Sequence, residues 1–462
     1  MTLLSATASN NCHGLQIMAD AAIAETLLVL FAREPHTGLG KRRIAEQLGN
    51  TAAHAVNSEM YAAALAVLNR WPGPAALALA DPSTDADAHD TLSREHIRLT
   101  QPDGSFGARF QSVDRTLCAQ HSGPRLYLGS DAPELSETFY RMAAEQLEHY
   151  DAVLAPAQDG GVTLLGTRCR WPALEHLPWG TNKLCEALEE ACLNEGLSVM
   201  KMPVSADVDT LDDLLRLRRS LKQDTRHNQQ QLLMQLKQIL PDVCAVIPVK
   251  HDNAMALTLS EALISQGTDQ VLIIDYEHNG PLAEACKQLG IHYQSNPNNR
   301  GTRLDAGARS FKDGNLWFLH ADAQPAKTAI DDIRKHLLQY DAGCFRFQFS
   351  GPGSAGKYLL ERTINWRAKH FVPYGDQGLF VKLRTYIDSG GFAHTPLFEE
   401  VPLIKHLKRH TRFAMLNTPI GVSTRRWQKD GWIKRTLHNR WLVIRYLAGA
   451  SPESLAKSYT GQ

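Results

Sequence analysis

The chain has 462 residues, 43% hydrophobic and 21% charged, with 49 Lys and Arg matched by 49 Asp and Glu. At roughly 150 residues per domain it is too long for one ordinary core, and two large globular domains are expected. The even charge excludes nucleic acid as the default partner, the eight cysteines contain no CxxC pair to signal zinc or redox chemistry, and no run approaches the ~18 uncharged apolar residues that cross a bilayer.

The first 25 residues lack a basic start followed by a sustained apolar stretch, so a cytoplasmic location with reduced thiols is expected. From there short apolar runs alternate with longer stretches of helical period, the pattern of a largely parallel sheet covered by helices. Candidate strands of the first half are TLLVLFA (26–32), ALALA (76–80), RLYLGSD (125–131) and DAVLAP (151–156). Between them SEMYAAALAVLNRW and SETFYRMAAEQLEHY carry apolar residues at three-and-four spacing, as amphipathic helices do.

The first strand runs into REPHTGLGKRRIAEQLG, where Gly38 and Gly40 permit a close turn and Lys41, Arg42 and Arg43 lead into a helix. Glycines, cations and a helix N-terminus favour phosphate, although a solvated basic turn would have the same sequence. Three carboxylate stations end later apolar runs: Gly129-Ser130-Asp131, Asp159-Gly160-Gly161 and Asp207-Val208-Asp209. Such carboxylates can hold Mg²⁺ or Mn²⁺ against a nucleotide's phosphates. Each also has a local explanation: a helix cap with Pro133 in the first turn, a simple turn, and a capping box from Thr210 to Asp213.

In order, FAREPHTGLGKRRIAEQLG, GARF, LYLGSDAPEL, LAPAQDGGVTLLG, LPWGTN and ADVDTLDDL resemble the motifs of the DUF2064 group of GT-A-fold proteins, related to nucleotidylyltransferases, over about 25–217. The resemblance implies that Lys41 and Arg43 bind phosphates, that Asp131 and Asp209 approach a metal, and that Asp159, Gly160 and Gly161 face the nucleotide or sugar. Whether this half transfers a sugar or a nucleotidyl group is left open by the fold.

From Arg216 to Pro241 the sequence is rich in Gln, Lys and Arg and is expected to be a helical connector, 218–241. The alternating pattern restarts with VCAVIPV (243–249), QVLIID (270–275), LWFLHAD (316–322) and CFRFQF (344–349). Three of these strands end in polar residues at one sheet edge, where open α/β sheets bind ligands. Asp275 could there receive a base or ribose and Asp322 a diphosphate-bound metal, with Arg300 and Arg303 supplying charge between them. For Asp322 alone, a turn with Pro325 starting the next helix explains the sequence as well.

HAD at 320–322, PYGDQGLFVKL at 373–383, SGGFAHTPLFEEVPLIKHLKR at 389–409 and STRRW at 423–427 resemble, in that order, inverting family-two glycosyltransferases, most closely the radical-SAM-associated branch linked to arsenosugar biosynthesis. The resemblance covers about 243–460. It implies a GT-A fold, a nucleotide-sugar donor and a divalent cation, with Asp322 on the metal; His320, where a first aspartate often stands, would ligate the metal, contact the donor or cap the strand. Glu400 matches the family's base and Glu399 its neighbour; Tyr374, Asp376 and Gln377 would face the acceptor, and Arg425, Arg426 and Trp427 the leaving diphosphate. Inverting transfer needs such a base at the acceptor hydroxyl and cations at the departing charge.

Val401 to Ala450 holds eleven Lys or Arg and only Asp430 as an acid. WIKRTLHNRWLVIRYLAG within it reads as an amphipathic helix, packed on its own domain or touching a lipid surface that presents a lipid-linked acceptor. The expectation is thus an α/β chain of two tandem GT-A-like (nucleotide-diphospho-sugar transferase, Rossmann-like) domains, 25–217 and 242–462, after an extension of 1–24. It would be a bifunctional, metal-dependent glycosyltransferase acting on a nucleotide-sugar donor and a small-molecule or lipid-linked acceptor.

Overall fold

The computed structural model describes residues 22–35, 40–80, 92–353, 355–424, 427–428 and 431–460. Gly38, Arg425, Arg426 and all but 22–24 of the N-terminal extension lie outside them. The chain divides into two compact units, Met1–Ile239 and Leu240–Gln462.

In the first unit β1 (Leu27–Arg33), β2 (Ala75–Ala80), β3 (Ile97–Thr100), β4 (Arg125–Leu128), β5 (Ala152–Pro156), β6 (Val162–Thr167) and β7 (Val199–Lys201) form one sheet ordered β3-β2-β1-β4-β6-β5-β7. Only β6 runs against its neighbours, pairing antiparallel with both β4 and β5. β1 is buried on both faces from Leu27 to Ala32, which is why TLLVLFA is continuously apolar rather than alternating. Helices Asn50–Arg70 and Glu137–Gln146 close one face; Phe106–Gln120 and Leu184–Asn194 close the other.

The stretch read as a connector is helical and lies on the first unit. Helix His227–Ile239 buries Leu232, Leu233 and Leu236 and packs on Asn50–Arg70. Arg226 and Gln229 donate to the carbonyls of Leu135 and Pro133, at 2.7 and 3.3 Å. Its apolar stripe needs a surface to bury against, and a free linker would offer none.

The second unit repeats the plan. β8 (Val243–Val249), β9 (Gln270–Asp275), β10 (His292–Ser295), β11 (Asn315–Phe318), β12 (Gln324–Pro325), β13 (Ala342–Phe349), β14 (Phe380–Lys382) and β15 (Phe413–Val422) are ordered β10-β9-β8-β11-β14-β13-β15-β12. β14, in the place of β6, is antiparallel to β11 and β13. Both units are therefore α/β with the GT-A-type sheet, and the two strand orders coincide over seven positions.

β11 stops at Phe318, short of the aspartate. His320 to Ala323 make a turn, Ala323 N donating to the His320 carbonyl at 3.0 Å, and Pro325 sits in the two-residue strand β12 against Gly421 and Ile420 of β15. The next helix begins only at Ala329, so Pro325 does not open it.

Candidate active sites

In the first unit the carboxyl edge of the sheet opens into a cavity of about 780 Å³ lined by Lys41, Arg43, Asp131, Asp159, Asp207 and Asp209, among others. Lys41 has a left-handed backbone, φ 43°, immediately before helix Arg42–Leu48. That conformation is unusual for a residue with a side chain and turns the lysine off the helix. Its ammonium lies 2.8 Å from Asp131 Oδ1 and 3.0 Å from Asp209 Oδ1, and also donates to the Val208 carbonyl. Burial alone would lower its pKa, but the two carboxylates outweigh burial and raise it. Asp131 and Asp209, expected to approach a metal, thus hold a cation belonging to the chain, and Lys41, expected on phosphate, is engaged by them. As arranged, this pair does not fit a resident metal ion.

The turn bearing Asp209 is fixed from behind. Thr210 and Asp213 form a capping box, and Asp213 Oδ2 accepts from the backbone N–H groups of Asp209 and Thr210 at 3.1 and 2.9 Å. Asp131 is not a helix cap, since Ser136 caps Glu137–Gln146. Asp159 Oδ1 accepts from Gly161 N at 2.8 Å, and Gly160 has φ +89° where a Cβ would stand 2.1 Å from the Asn182 carbonyl oxygen. Only glycine fits there. Burial, then the neighbouring Asp159, pushes the Asp207 carboxyl up.

The second unit's cavity, about 680 Å³, brings together Arg300, His320, Asp322, Tyr374, Asp376, Glu399, Glu400 and Trp427. Arg300 is the hinge of the polar wall: its Nε is 3.1 Å from Glu399 Oε1 and its Nη2 donates to His320 Nε2 at 2.8 Å. The donation makes Nε2 an acceptor, so the ring is neutral at that nitrogen. Glu400 Oε1 accepts from Gly375 N at 3.1 Å. A Cβ at Gly375 would come within 3.1 Å of Arg300 Nη2 and 3.2 Å of His320 Nε2, so a side chain there would press on this pair.

Glu399 and Glu400 are buried, 2% and 8% exposed, where helix Glu400–His410 begins. Burial, then the charge of Glu399, pushes the Glu400 carboxyl up to about 7, against the pull of Arg300 and Gly375 N–H. The preceding Phe398 has φ 58°, strained for an aromatic residue, and is held by Tyr374 and Tyr446, ring centroids 6.0 and 4.6 Å away. Asp376, half-buried, is raised first by desolvation, feels the nearby charge of Asp322, and has an Oδ1 with no hydrogen-bond partner among the described residues.

No group of three or more His, Cys, Asp or Glu placed to hold a metal occurs among the described residues. Asp322 with the unsatisfied Asp376 oxygen nevertheless fits a cation that takes one or two protein carboxylates and completes its shell with diphosphate and water.

Other expected residues lie off this cavity. Gln377 is fully buried and donates to the Phe345 carbonyl at 3.2 Å, placing it in the sheet packing rather than before an acceptor. Arg303 donates to the Val249 carbonyl at 2.6 Å and lies over the Tyr276 ring. Asp275, at the end of β9, accepts from Tyr293 Oη at 3.1 Å. Both stay at the carboxyl edge, beside β8 and β9. Trp427 lines the cavity and meets Phe349 edge-on at 5.0 Å.

Several site residues were not singled out from sequence. In the first cavity Phe106 and Trp179 face each other at 4.8 Å, and Arg109 donates to Gln101 Oε1 at 2.8 Å. In the second, Arg367 lies 3.9 Å from the Tyr374 ring centroid and Arg435 lines the wall. GARF and LPWGTN held Arg109 and Trp179 in view as motif members; nothing local marked Arg367 or Arg435.

Three crystal structures show likeness to the chain. A protein from Desulfovibrio desulfuricans G20, provisionally assigned as a nucleotide-diphospho-sugar transferase, is 25% identical with TM-score 0.43, over 47% of this chain and 98% of its own. TarS 1-349 from S. aureus is 12% identical with TM-score 0.32, over 40% of this chain and 60% of its own. Glucosyl-3-phosphoglycerate synthase from Mycobacterium tuberculosis, crystallised with Mn²⁺, UDP and glucosyl-3-phosphoglycerate, is 12% identical with TM-score 0.31, over 38% of this chain and 70% of its own. No curated protein matches. Residues 63–181 match the family described as "Uncharacterized protein conserved in bacteria (DUF2064)", so the first GT-A-type unit carries a DUF2064 region.

Proposed function

We propose that the second unit is a metal-dependent inverting glycosyltransferase using a nucleotide-sugar donor, and that the first performs a related glycosyl or nucleotidyl transfer. The observation that carries the reading is Glu400: a buried carboxylate fixed by Gly375 N–H, pushed up to about 7 by burial and Glu399, and lining the same cavity as Asp322. A general base is most effective when its pKa is close to the working pH. In the reaction the acceptor oxygen attacks the anomeric carbon, Glu400 takes the hydroxyl proton, and the bond to the diphosphate breaks on the opposite face.

Asp322, with Asp376 beside it, would hold the divalent cation, whose contribution is to neutralise charge on the leaving diphosphate. Arg300 positions Glu399 and His320 and keeps two buried carboxylates from repelling one another without compensation. Trp427, which lines the same cavity with Val422 and Ser423, is assigned to the donor side. The test is a panel of nucleotide sugars with Mg²⁺ and Mn²⁺, monitored for nucleotide release by the full chain. Release unchanged in both Asp322→Ala and Glu400→Gln would sink the assignment.

For the first unit a nucleotidyl transfer that makes the donor is favoured by Arg43, which is exposed and lines the cavity. A second reading, a nucleotide-binding module without turnover, is favoured by the closed Lys41–Asp131–Asp209 contact. Incubation of the chain with nucleoside triphosphates and sugar phosphates distinguishes them, since only nucleotidyl transfer releases pyrophosphate.

A further inference from the structure

Helix Trp432–Leu447 is apolar on the wrong side for a helix that merely covers its domain. Its inner face buries Arg435 and Leu442. Its outer face repeats Leu437, Trp441, Ile444 and Leu447 at three-and-four spacing, exposed by 58%, 46%, 64% and 69%. Helix Ala355–His370 exposes Tyr358, Leu359 and, two turns on, Trp366, followed by Phe371, exposed by 67%, 64%, 59% and 59%. These two stretches hold eight of the sixteen large apolar side chains exposed among the described residues, a concentration that scattered surface residues do not produce. Trp366 and Ile444 also line the second unit's cavity, so each stripe reaches its edge.

The same helices are strongly basic. Each carries four Lys or Arg, and Glu361 is the single acid of the pair. Glu361 is turned inward, accepting from Phe349 N at 2.7 Å. Lys434 and Arg440 are exposed along the stripe, and Arg445 lies 4.8 Å from the Trp441 ring centroid. Aromatic and aliphatic side chains flanked by cations match a bilayer interface, where the acyl edge is apolar and the phosphates are anionic. No described helix is long and apolar enough to cross a membrane, so this face would lie on the surface.

We propose that the Ala355–His370 and Trp432–Leu447 face docks on an anionic lipid surface and turns the cavity mouth towards the headgroup layer. The docking stands on this geometry alone. What it adds to the transferase reading, and rests on it for, is the acceptor class: an amphiphile whose apolar part enters between Leu360, Ile364 and Val443 while its hydroxyl reaches Glu400.

The full chain is sedimented with phosphatidylcholine vesicles and with vesicles containing phosphatidylglycerol, at low and high salt. Binding at least about tenfold tighter to the anionic vesicles at low salt, partly retained at high salt through apolar burial, is expected. L437E combined with L447E, and separately L359E, should weaken it at least about tenfold while circular dichroism and melting stay unchanged, because all three positions are exposed. E400Q should reduce transfer by about 10²–10⁴-fold and leave vesicle binding intact, which separates this proposal from the transferase reading. Absence of binding to phosphatidylglycerol vesicles at low salt overturns it, as does full binding by L437E/L447E. A concentration-dependent dimer dissolved by the same substitutions also overturns it, giving the face to a second copy of the chain.

Discussion

The two units share a strand order and an antiparallel strand in the same place, yet they treat the carboxylates at the sheet edge in opposite ways. In the first, Asp131 and Asp209 are 54% and 44% exposed and are bridged by the ammonium of a lysine only 6% exposed. In the second, Glu399 and Glu400 are buried with Arg300 paired to Glu399, and Asp376 keeps an oxygen unsatisfied among the described residues. The first edge keeps its excess negative charge half in water; the second takes its carboxylates out of water. The same fold thus leaves reactivity to a few side chains, and burial is the variable that separates them.

Four experiments sharpen or break this contrast, the largest effect first. Glu400→Gln should reduce glycosyl transfer by about 10²–10⁴-fold, the usual contribution of a positioned general base, with little change in nucleotide affinity. A comparable loss of both would mean the residue holds the donor. Gly160→Ala should cost the first unit more than ~2 kcal/mol in urea melts, because the added carbon meets the Asn182 backbone at a positive φ. Normal stability would show that this turn is loose.

Third comes the pH dependence of stability. Glu400 has its pKa raised in the folded chain, so between its ordinary value of 4.5 and about 7 the native state binds more protons than the unfolded one. Stability contributed by the protonated form is present below 4.5 and is lost as pH rises to about 7. Thermal melts of Glu400→Gln should therefore match the wild type near pH 4 and exceed it above neutrality, by up to about 3 kcal/mol. Superimposable curves across the range would show the carboxylate to be solvated. Smallest is Lys41→Gln, expected to cost about 1 kcal/mol, since the partner carboxylates are half in water and screened. Mn²⁺ should raise the melting temperature of this variant's first unit and not that of the wild type; an equal rise in both would put a metal where the lysine now sits.

Much of the architecture was legible because buried parallel strands have no choice but to be apolar throughout, as TLLVLFA and QVLIID are. β6 and β14 were not read: Val162–Thr167 lacks clear alternation and Phe380–Lys382 is only three residues long. LWFLHAD looked like one strand to its aspartate, but Leu319 is buried after the strand has ended, and apolarity cannot register where pairing stops. At the sites, the cluster of His320, Asp322, Tyr374, Asp376, Glu399 and Glu400 followed from motif order. Gln377 shared the motif and turned inward, because successive residues of the 3₁₀ turn Gly375–Gln377 point about 120° apart. The Lys41 contact could not be read at all: its partners lie far along the chain, and only the sheet brings them to it.

The left-handed Phe398 has a consequence in genetics. Its carbonyl accepts from Val401 N at 3.1 Å, but its ring is packed by other rings, and one of these, Tyr446, belongs to a helix far along the chain from Glu400. A lesion at Tyr446 removes the restraint and frees the start of Glu400–His410 to relax. Screens for inactive alleles should therefore return Tyr446 substitutions, silent in any test of substrate contact and dominated by changes that shrink the ring.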